Sequence, residues 1–543
     1  MSRSDHWAGF RVPPIRHEAH FGDRIVRCFA DRPASFHAMF GEALASHADR
    51  RAVLFNGASL SYRELDREVG RIAAGLASHG VERGERVMMF IGNRPEFVSV
   101  LLAIQRLGAI AVPVGIREQR PGLAYMQRQS GAKAIVFDAA LAAVVPQEAE
   151  TPGLRLRICV DDAGDVDDAG ALSLPALGSG FMPASDAAPV REEDTAVLLY
   201  TSGTTGNPKG AMLSHLNIVH SAMHYQACFG LDHHDCAGLA VPASHVTGLI
   251  AVIAAMLRVG GAMLIYAEFR ADQFVAIAAR ERMSYTLMVP AMYNLCLMRG
   301  DMESHDLSAW RIGGFGGAPM PPSTVDAMAQ KLPGLTLVNA YGATETTSPA
   351  TAVPPGAIVA GNDSVGVALP CASVIAVDDD GIEVAPGVSG ELWIGGPMVV
   401  RGYWDNPEAT AQGFTAGYWH SGDVGSIDAQ GYVRIFDRKK DMLNRGGYKI
   451  YSAEVENVLM ALPGVLEAAV VGRPCPVLGE RVHAFIYAPG GGLDAAAVRA
   501  HCAARLADYK VPEEVTMMDG PLPRNANGKL MKRTLREQAV AGG

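Results

Sequence analysis

The first third of the chain alternates between two hydrophobic periods, and this alternation restricts the fold more than any other feature. Ser61-x-x-Glu64 has the form of a capping box, which satisfies free N–H groups at the start of a helix. Leu65, Val69, Ile72 and Leu76 then recur at helical spacing, and Gly80 stands where a C-terminal stop is expected. Arg86–Ile91 (RVMMFI) reads as a strand, Pro95–Leu107 as a helix and Ala109–Val114 as the next strand. A helix between successive strands lets them pair in parallel, so the pattern predicts parallel sheets covered by helices.

The rhythm resumes further on. Ala196–Tyr200 (AVLLY) is a strand-like apolar run. Ser214 can cap a helix carrying Ile218, Ala222 and Tyr225 on one face, and Ala262–Tyr266, Tyr285–Val289 and Thr336–Val338 read as short strands. The longest apolar stretch, Val246–Leu257, falls short of the ~20 residues that span a bilayer and suits a buried helix. Between Ser364 and Tyr403, short β-rich pieces (VIAVDD, GELWIGG) separated by turn residues predict a small antiparallel barrel or sheet. After Asp437 comes the charged run DRKKD and then a short α+β pattern. At 543 residues the chain is too long for one core. The expectation is an α/β protein. Its large N-terminal domain (1–437) holds two βαβ-layered subdomains and a small β-barrel within a β-rich part at 364–437, after an extension at 1–34. A small mobile α+β domain covers 438–543.

Charge and cysteine usage exclude several classes. The net charge is −10 with no extended basic block, which argues against a nucleic-acid partner. The N-terminus carries mixed charge without an apolar core, unlike a secretory signal. Eight scattered cysteines with no C-x-x-C pair predict reduced thiols in the cytoplasm rather than a disulfide framework. His233-His234-Asp235-Cys236 has metal-ligating residue types, but adjacent residues rarely converge on one ion, and it reads as an exposed loop. A homodimer is compatible with the sequence.

The segment Thr201–Gly210 (TSGTTGNPKG) concentrates chemistry. It brings three glycines, four hydroxyls and Lys209 together directly after an apolar strand. Glycines permit close backbone approach, and N–H groups, hydroxyls and an ammonium suit phosphate oxygens. The spacing does not fit G-x-x-x-x-G-K-[ST], so it is not a Walker loop. The competing reading is a polar hairpin loop between two buried strands.

Five further segments accompany it: GGAP (Gly316–Pro319), NAYGATETT (Asn339–Thr347), YWHSGDVG (Tyr418–Gly425), DRKKDMLNRGGYKIYSAEVE (Asp437–Glu456) and PRNANGKLMKR (Pro523–Arg533). In order and spacing the set resembles the adenylate-forming superfamily of acyl-CoA synthetases, luciferases and peptide-synthetase adenylation domains, and is most similar to the acyl-CoA synthetases. The resemblance covers roughly residues 35–537. It implies ATP-dependent conversion of a carboxylic acid to acyl-AMP with release of pyrophosphate. Transfer to CoA then gives acyl-CoA and AMP, with Mg²⁺ assisting. Such a site must neutralise triphosphate charge and stabilise a crowded anionic transition state, and it needs no side-chain nucleophile.

The same resemblance implies roles residue by residue. Thr201, Ser202, Gly203, Thr204, Thr205 and Lys209 would meet the β- and γ-phosphates, Thr344 the α-phosphate, and Glu345 the Mg²⁺. Gly316, Gly317, Ala318 and Pro319 would wall the adenine opposite Tyr341 and Gly342, and Asp423 and Arg438 would hold the ribose. A carboxylate suits vicinal hydroxyls because it accepts two hydrogen bonds. Pro319 stands where a dinucleotide fingerprint would need its third glycine. Lys529 would bridge the acid's carboxylate and the α-phosphate. Lys440 would be the hinge about which the C-terminal domain turns to offer Arg445, Gly446, Gly447 and Tyr448 to the pantetheine thiol. Taken singly, Glu345 reads as a capping carboxylate, Asp423 as a turn residue, Lys529 as a solvated lysine and DRKKD as a charged linker.

His245, in P-A-S-H-V-T-G, lies where acyl-CoA ligases have an aromatic–His pair at the acyl entrance, with Ser244 in place of the aromatic. Peptide-synthetase domains carry Asp near this point to hold an amino group, so His245 favours a non-amino acid. Val246, Leu249, Phe315, Ala340 and Ala343 are the other acyl-pocket candidates, with Phe315 narrowing the pocket and the alanines leaving room. The acid is aliphatic or aryl. The alternatives are a stand-alone enzyme loading a carrier protein and a non-catalytic AMP/ATP-binding regulator.

Overall fold

The computed structural model describes residues 5–161, 171–179, 182, 184, 186–201, 207–355, 357, 364–524 and 530–541. Ser202, Gly203, Thr204, Thr205 and Lys529 therefore lie outside the described residues. The chain forms two compact units. The first comprises Met1–Val374, Trp393–His420 and Gln430–Val433, and the second Ile375–Leu392, Ser421–Ala429 and Arg434–Gly543.

The local signals are realised in the first unit. In the predicted capping box, Ser61 Oγ accepts from Glu64 N–H at 3.2 Å and Glu64 Oε2 accepts from Ser61 N–H at 2.8 Å, opening the helix Tyr62–Ser78. Leu65, Val69, Ile72 and Leu76 are all buried on it, and Gly80 follows in the left-handed region at φ +81°. Seven strands form one sheet. From one edge the order is Lys209–Ser214, Thr195–Thr201, Ile110–Pro113, Arg86–Phe90, Ala134–Phe137, Leu156–Cys159 and Leu172–Ser173. Only the first of these pairs is antiparallel.

A second sheet runs in parallel through Arg51–Phe55, Ala262–Ile265, Cys236–Leu239, Tyr285–Met288, Ile312–Phe315 and Thr336–Tyr341. It turns antiparallel at Thr351–Ala352 and Ser364–Ala368. Among the described residues the β-rich strands run in open order, and no pairing closes them into the expected barrel.

The helix His215–Phe229 differs from its sequence pattern. Ser214 caps it as predicted, in a capping box with Asn217. Ile218, Ala222 and Tyr225 are buried, but so are His215, Asn217, His220, Ser221 and His224 on other faces. The helix is enclosed all round, where periodicity implied one buried stripe. The apolar run after Val246 is helical and buried, but as a π-helix at Thr247–Ala254 that continues as an α-helix at Ala255–Val259. A Cβ on Gly248 would lie 2.3 Å from the Pro242 carbonyl oxygen, so only glycine lets this helix begin so close to the preceding loop.

The second unit is α+β. Strands Tyr448–Ile450, Leu443–Arg445, Gly479–Tyr487 and Glu467–Cys475 adjoin in that order, and Glu514–Met518 lies parallel to Gly479–Tyr487. Leu443, Ile450, Val470 and Val482 form its core with Val455 and Leu459 of the helix Ser452–Met460. All eight cysteines are free and buried. No helix among the described residues is long and apolar enough to cross a membrane.

Candidate active site

The parallel strands of the second sheet end side by side. Met288 pairs with Phe315, and Phe315 with Asn339, so the loops that follow open on one edge. Open α/β sheets bind ligands at this carboxyl edge. Gly316 leaves the strand Ile312–Phe315 here, and a Cβ on it would lie 2.4 Å from the Ala340 carbonyl oxygen. Glycine is therefore a packing requirement, and the backbone of Gly316–Ala318 faces the opening without side-chain bulk. Gly317, Ala318 and Pro319 are exposed, while Tyr341, at the end of Thr336–Tyr341, is half-buried and Gly342 exposed beside it.

The loop after Tyr341 is wound tightly. Thr346 Oγ1 accepts from Ala343 N–H at 2.8 Å and donates to the Ala343 carbonyl at 3.1 Å. Thr344 is left half-buried, and Glu345 is only 8% exposed. The Glu345 carbonyl accepts from Val400 N–H at 2.9 Å, and its Oε1 accepts from the Tyr403 hydroxyl at 2.9 Å. Burial and the adjacent Glu345 charge push the Tyr403 phenol far above its ordinary pKa, so it remains a donor.

Tyr403 comes from a distant segment. Gly402–Trp404 runs along the outer edge of Lys209–Ser214, with Met212 N–H donating to the Gly402 carbonyl at 3.1 Å and Trp404 N–H to the Gly210 carbonyl at 2.8 Å. This places the Lys209 ammonium 5.2 Å from the Tyr403 ring centroid, a cation–π contact. Thr201 pairs with Lys209 across the hairpin. A cation for phosphate and a buried carboxylate thus converge on one aromatic ring. A single carboxylate completed by phosphate oxygens and water is a normal magnesium site, so Glu345 fits that role. Another group of suitable residue types, Glu18, His20 and Cys28, does not. Arg32 takes both Glu18 oxygens, at 2.9 and 2.7 Å.

His245 is exposed, while desolvation by the protein around it lowers its pKa below the ordinary histidine value. Nδ1 accepts from Thr247 N–H at 3.3 Å, which leaves the proton of the neutral ring on Nε2. Its loop is held by Asn93, which reaches over from the end of Arg86–Phe90 in the other sheet. Asn93 Nδ2 donates to the Val241 carbonyl at 2.9 Å, and its Oδ1 accepts from Ala243 N–H at 2.8 Å. Val246, Leu249, Phe315 and Ala340 are buried, and Ala343 is half-buried. Sequence reasoning missed Tyr403 and Asn93, because neither stands in a charged or glycine-rich motif. His233–Cys236 is not wholly the exposed loop expected. Asp235 and Cys236 are buried, and Arg311 pairs with both Asp235 oxygens, at 3.0 and 2.6 Å.

Within the second unit, Asp423 is 4% exposed and Arg438 Nε lies 2.8 Å from its Oδ1. Arg438 Nη1 also donates to the Ser421 carbonyl at 3.1 Å. The two residues assigned to the ribose are thus adjacent. Lys440 is exposed, and its carbonyl accepts from Arg536 at 2.9 Å. Gly446 (φ +59°) and Gly447 (φ +89°) form a two-residue hairpin turn between Arg445 and Tyr448. Arg445 is anchored by Glu513 at 2.8 Å, while Tyr448 is exposed and stacked on Tyr509, with centroids 4.6 Å apart.

Comparison with known proteins agrees with this arrangement. The family model "AMP-binding enzyme" matches residues 40–404, and "AMP-binding enzyme C-terminal domain" matches residues 454–529. The chain is 35% identical to a feruloyl-CoA synthase of Amycolatopsis sp. over 494 residues, covering 90% of this chain and 95% of the relative. It is 31% identical to a long-chain-fatty-acid–CoA ligase of Mycobacterium tuberculosis over 483 residues, covering 89% and 93%. Among solved structures, the anthranilate CoA ligase AuaEII in complex with anthranoyl-AMP superposes with a TM-score of 0.85 at 25% identity, covering 94% of this chain and 98% of that one. By these matches the chain is a member of the AMP-binding enzyme family of acyl-CoA ligases.

Proposed function

We propose that this protein is an AMP-forming carboxylate–CoA ligase whose acid is aromatic. The convergence of Lys209 and Glu345 on Tyr403 supports adenylate formation most directly. The aromatic assignment rests on the higher identity to a feruloyl-CoA synthase than to fatty-acid ligases, and on a buried Phe315 beside the small Ala340 and Ala343.

An oxygen of the acid bonds to the α-phosphorus of ATP, and pyrophosphate leaves. The CoA sulfur then bonds to the acyl carbon, and AMP leaves. Lys209 meets the outgoing phosphates, with Thr201, Ser202, Gly203, Thr204 and Thr205 lining the same loop. Thr344 meets the α-phosphate, and Glu345 would hold magnesium, which when bound neutralises phosphate charge. The bare Gly316–Ala318 backbone and Tyr341 sandwich the adenine, and Asp423 accepts from the ribose hydroxyls with Arg438 beside it. Lys529 bridges carboxylate and α-phosphate during adenylation. Turning about Lys440 replaces it with the Arg445–Tyr448 hairpin for thioester formation. The compartment is cytoplasmic, in keeping with eight free thiols.

The test is pyrophosphate release over a panel of cinnamic, benzoic, dicarboxylic and fatty acids, with and without CoA. Release with an aromatic acid and CoA-dependent thioester formation are expected, and turnover restricted to fatty acids would overturn the aromatic assignment. Lys529→Ala is expected to lower adenylation by roughly 10²–10³-fold, the scale of one transition-state charge contact. Thioester formation from supplied acyl-AMP should fall far less.

A further inference from the structure

Lys209 and Glu345 carry opposite charges, and both approach one side chain. Two such groups facing an opening would ordinarily close on each other as an ion pair, each cancelling the charge the other needs for its ligand. Among the described residues the Lys209 ammonium meets an aromatic ring rather than a carboxylate. Both groups instead meet Tyr403. Its ring face holds the ammonium at 5.2 Å, and its hydroxyl holds Glu345 Oε1 at 2.9 Å.

We propose that Tyr403 is a positioning residue that keeps Lys209 and Glu345 apart, so that the ammonium stays available to phosphate and the carboxylate to magnesium. Three features of the fold serve this arrangement. Tyr403 is itself buried and cannot swing away. Its backbone is hydrogen-bonded on both flanks to the strand that carries Lys209, through Gly402 and Trp404. The loop carrying Glu345 is pinned to the same segment through the Val400 N–H. Three stretches far apart in sequence are therefore locked around one ring.

This inference rests on the adenylate-forming reading, and the experiment separates the two. ATP binding is measured by calorimetry on the full chain, with Mg²⁺ and again in EDTA, for the native protein, Tyr403→Phe and Tyr403→Leu. Tyr403→Phe keeps the ring and loses the hydroxyl. Its metal-free ATP affinity should be unchanged, while the Mg²⁺ needed for half-maximal tightening rises about tenfold, the scale of a hydrogen bond to a charged group. Tyr403→Leu should also weaken metal-free ATP binding, about three- to tenfold, as Lys209 loses the ring and closes on Glu345. The double variant Glu345→Gln/Tyr403→Phe should be no more Mg²⁺-insensitive than Glu345→Gln alone. An unchanged KM for the acid and an unchanged unfolding midpoint in Tyr403→Phe exclude general damage. A Tyr403→Phe protein with native Mg²⁺ dependence overturns the proposal, as does a folded Tyr403→Leu protein with native metal-free ATP affinity. Failure of the native protein to bind ATP or release pyrophosphate would overturn the parent reading instead.

Discussion

The proposed phosphate end and acyl end of the site are built in different ways. At the phosphate end, Lys209, Glu345 and Tyr403 are placed by side-chain contacts between segments nearly two hundred residues apart. At the acyl end, Phe315, Ala340 and the His245 loop are placed by backbone approach, with Gly316 against the Ala340 carbonyl and Gly248 against the Pro242 carbonyl. Charged chemistry tolerates few residue types, so the first end leaves motifs. Apolar volume can be filled in many ways, so the second leaves almost none.

The largest effect tests whether the two ends stand or fall together. The buried helix His215–Phe229 packs against both the strand Lys209–Ser214 and the π-helix Thr247–Ala254. Burial lowers His37 and His215 from 6.5 to about 4, and His220 to about 3. These rings are neutral when folded and take up protons on unfolding below pH 6.5. Their contribution is therefore complete above pH 6.5 and is lost as pH falls toward 4, at about 1.4 kcal/mol per unit for each histidine. Denaturant midpoints should drop steeply over that window, and His220→Gln should flatten the slope if it folds. A flat profile would show that these rings are not held neutral in the folded chain.

Next, Glu345→Gln should cut pyrophosphate release by roughly 10²-fold, the lower range for losing one preorganised charge contact. The ranking of acids should be unaltered, and a changed ranking would mean the ends are not independent. Phe315→Ala should do the converse. Preference should move toward bulkier acids by about tenfold, with Mg²⁺ dependence untouched, as read from kcat/KM ratios over the acid panel. The smallest effect is expected at His245. Because its pKa is lowered, activity should remain level as pH falls through 6.5, and Thr247→Val should change the profile little, since the N–H bond to Nδ1 remains.

Local rules were well expressed in the chain. The capping box at Ser61 and Glu64, the stop at Gly80 and the strands around Arg86–Phe90 and Ile110–Pro113 all depend on neighbours within a few residues, and they appear where the pattern placed them. The enclosed helix at His215–Phe229 was only half legible. A periodic stripe reports one buried face, whereas what covers the remaining faces depends on both sheets. The π-helix at Thr247–Ala254 was read as an ordinary buried helix, since composition does not distinguish hydrogen-bond periods.

Among the candidate residues, Lys209 stood out in a glycine- and hydroxyl-rich segment, whereas Glu345, Asp423 and Arg438 could be named only through the family resemblance of their motifs, since singly each reads as an ordinary surface or turn residue. The Gly446–Gly447 turn was visible as a motif but not as a hairpin. Tyr403 and Asn93 were invisible for a common reason: each acts on residues brought near only by folding, Tyr403 from beyond Val400 and Asn93 from the opposite sheet. The sequence by itself determined the alternation of elements, the helix caps and which charged groups are candidates to meet a phosphate, because these are set by local backbone preference and by charge. Only the tertiary structure decided that one phenol meets both the lysine and the carboxylate, and that two carbonyls exclude every Cβ at Gly316 and Gly248. Such distances belong to pairs of segments, and no single segment encodes them.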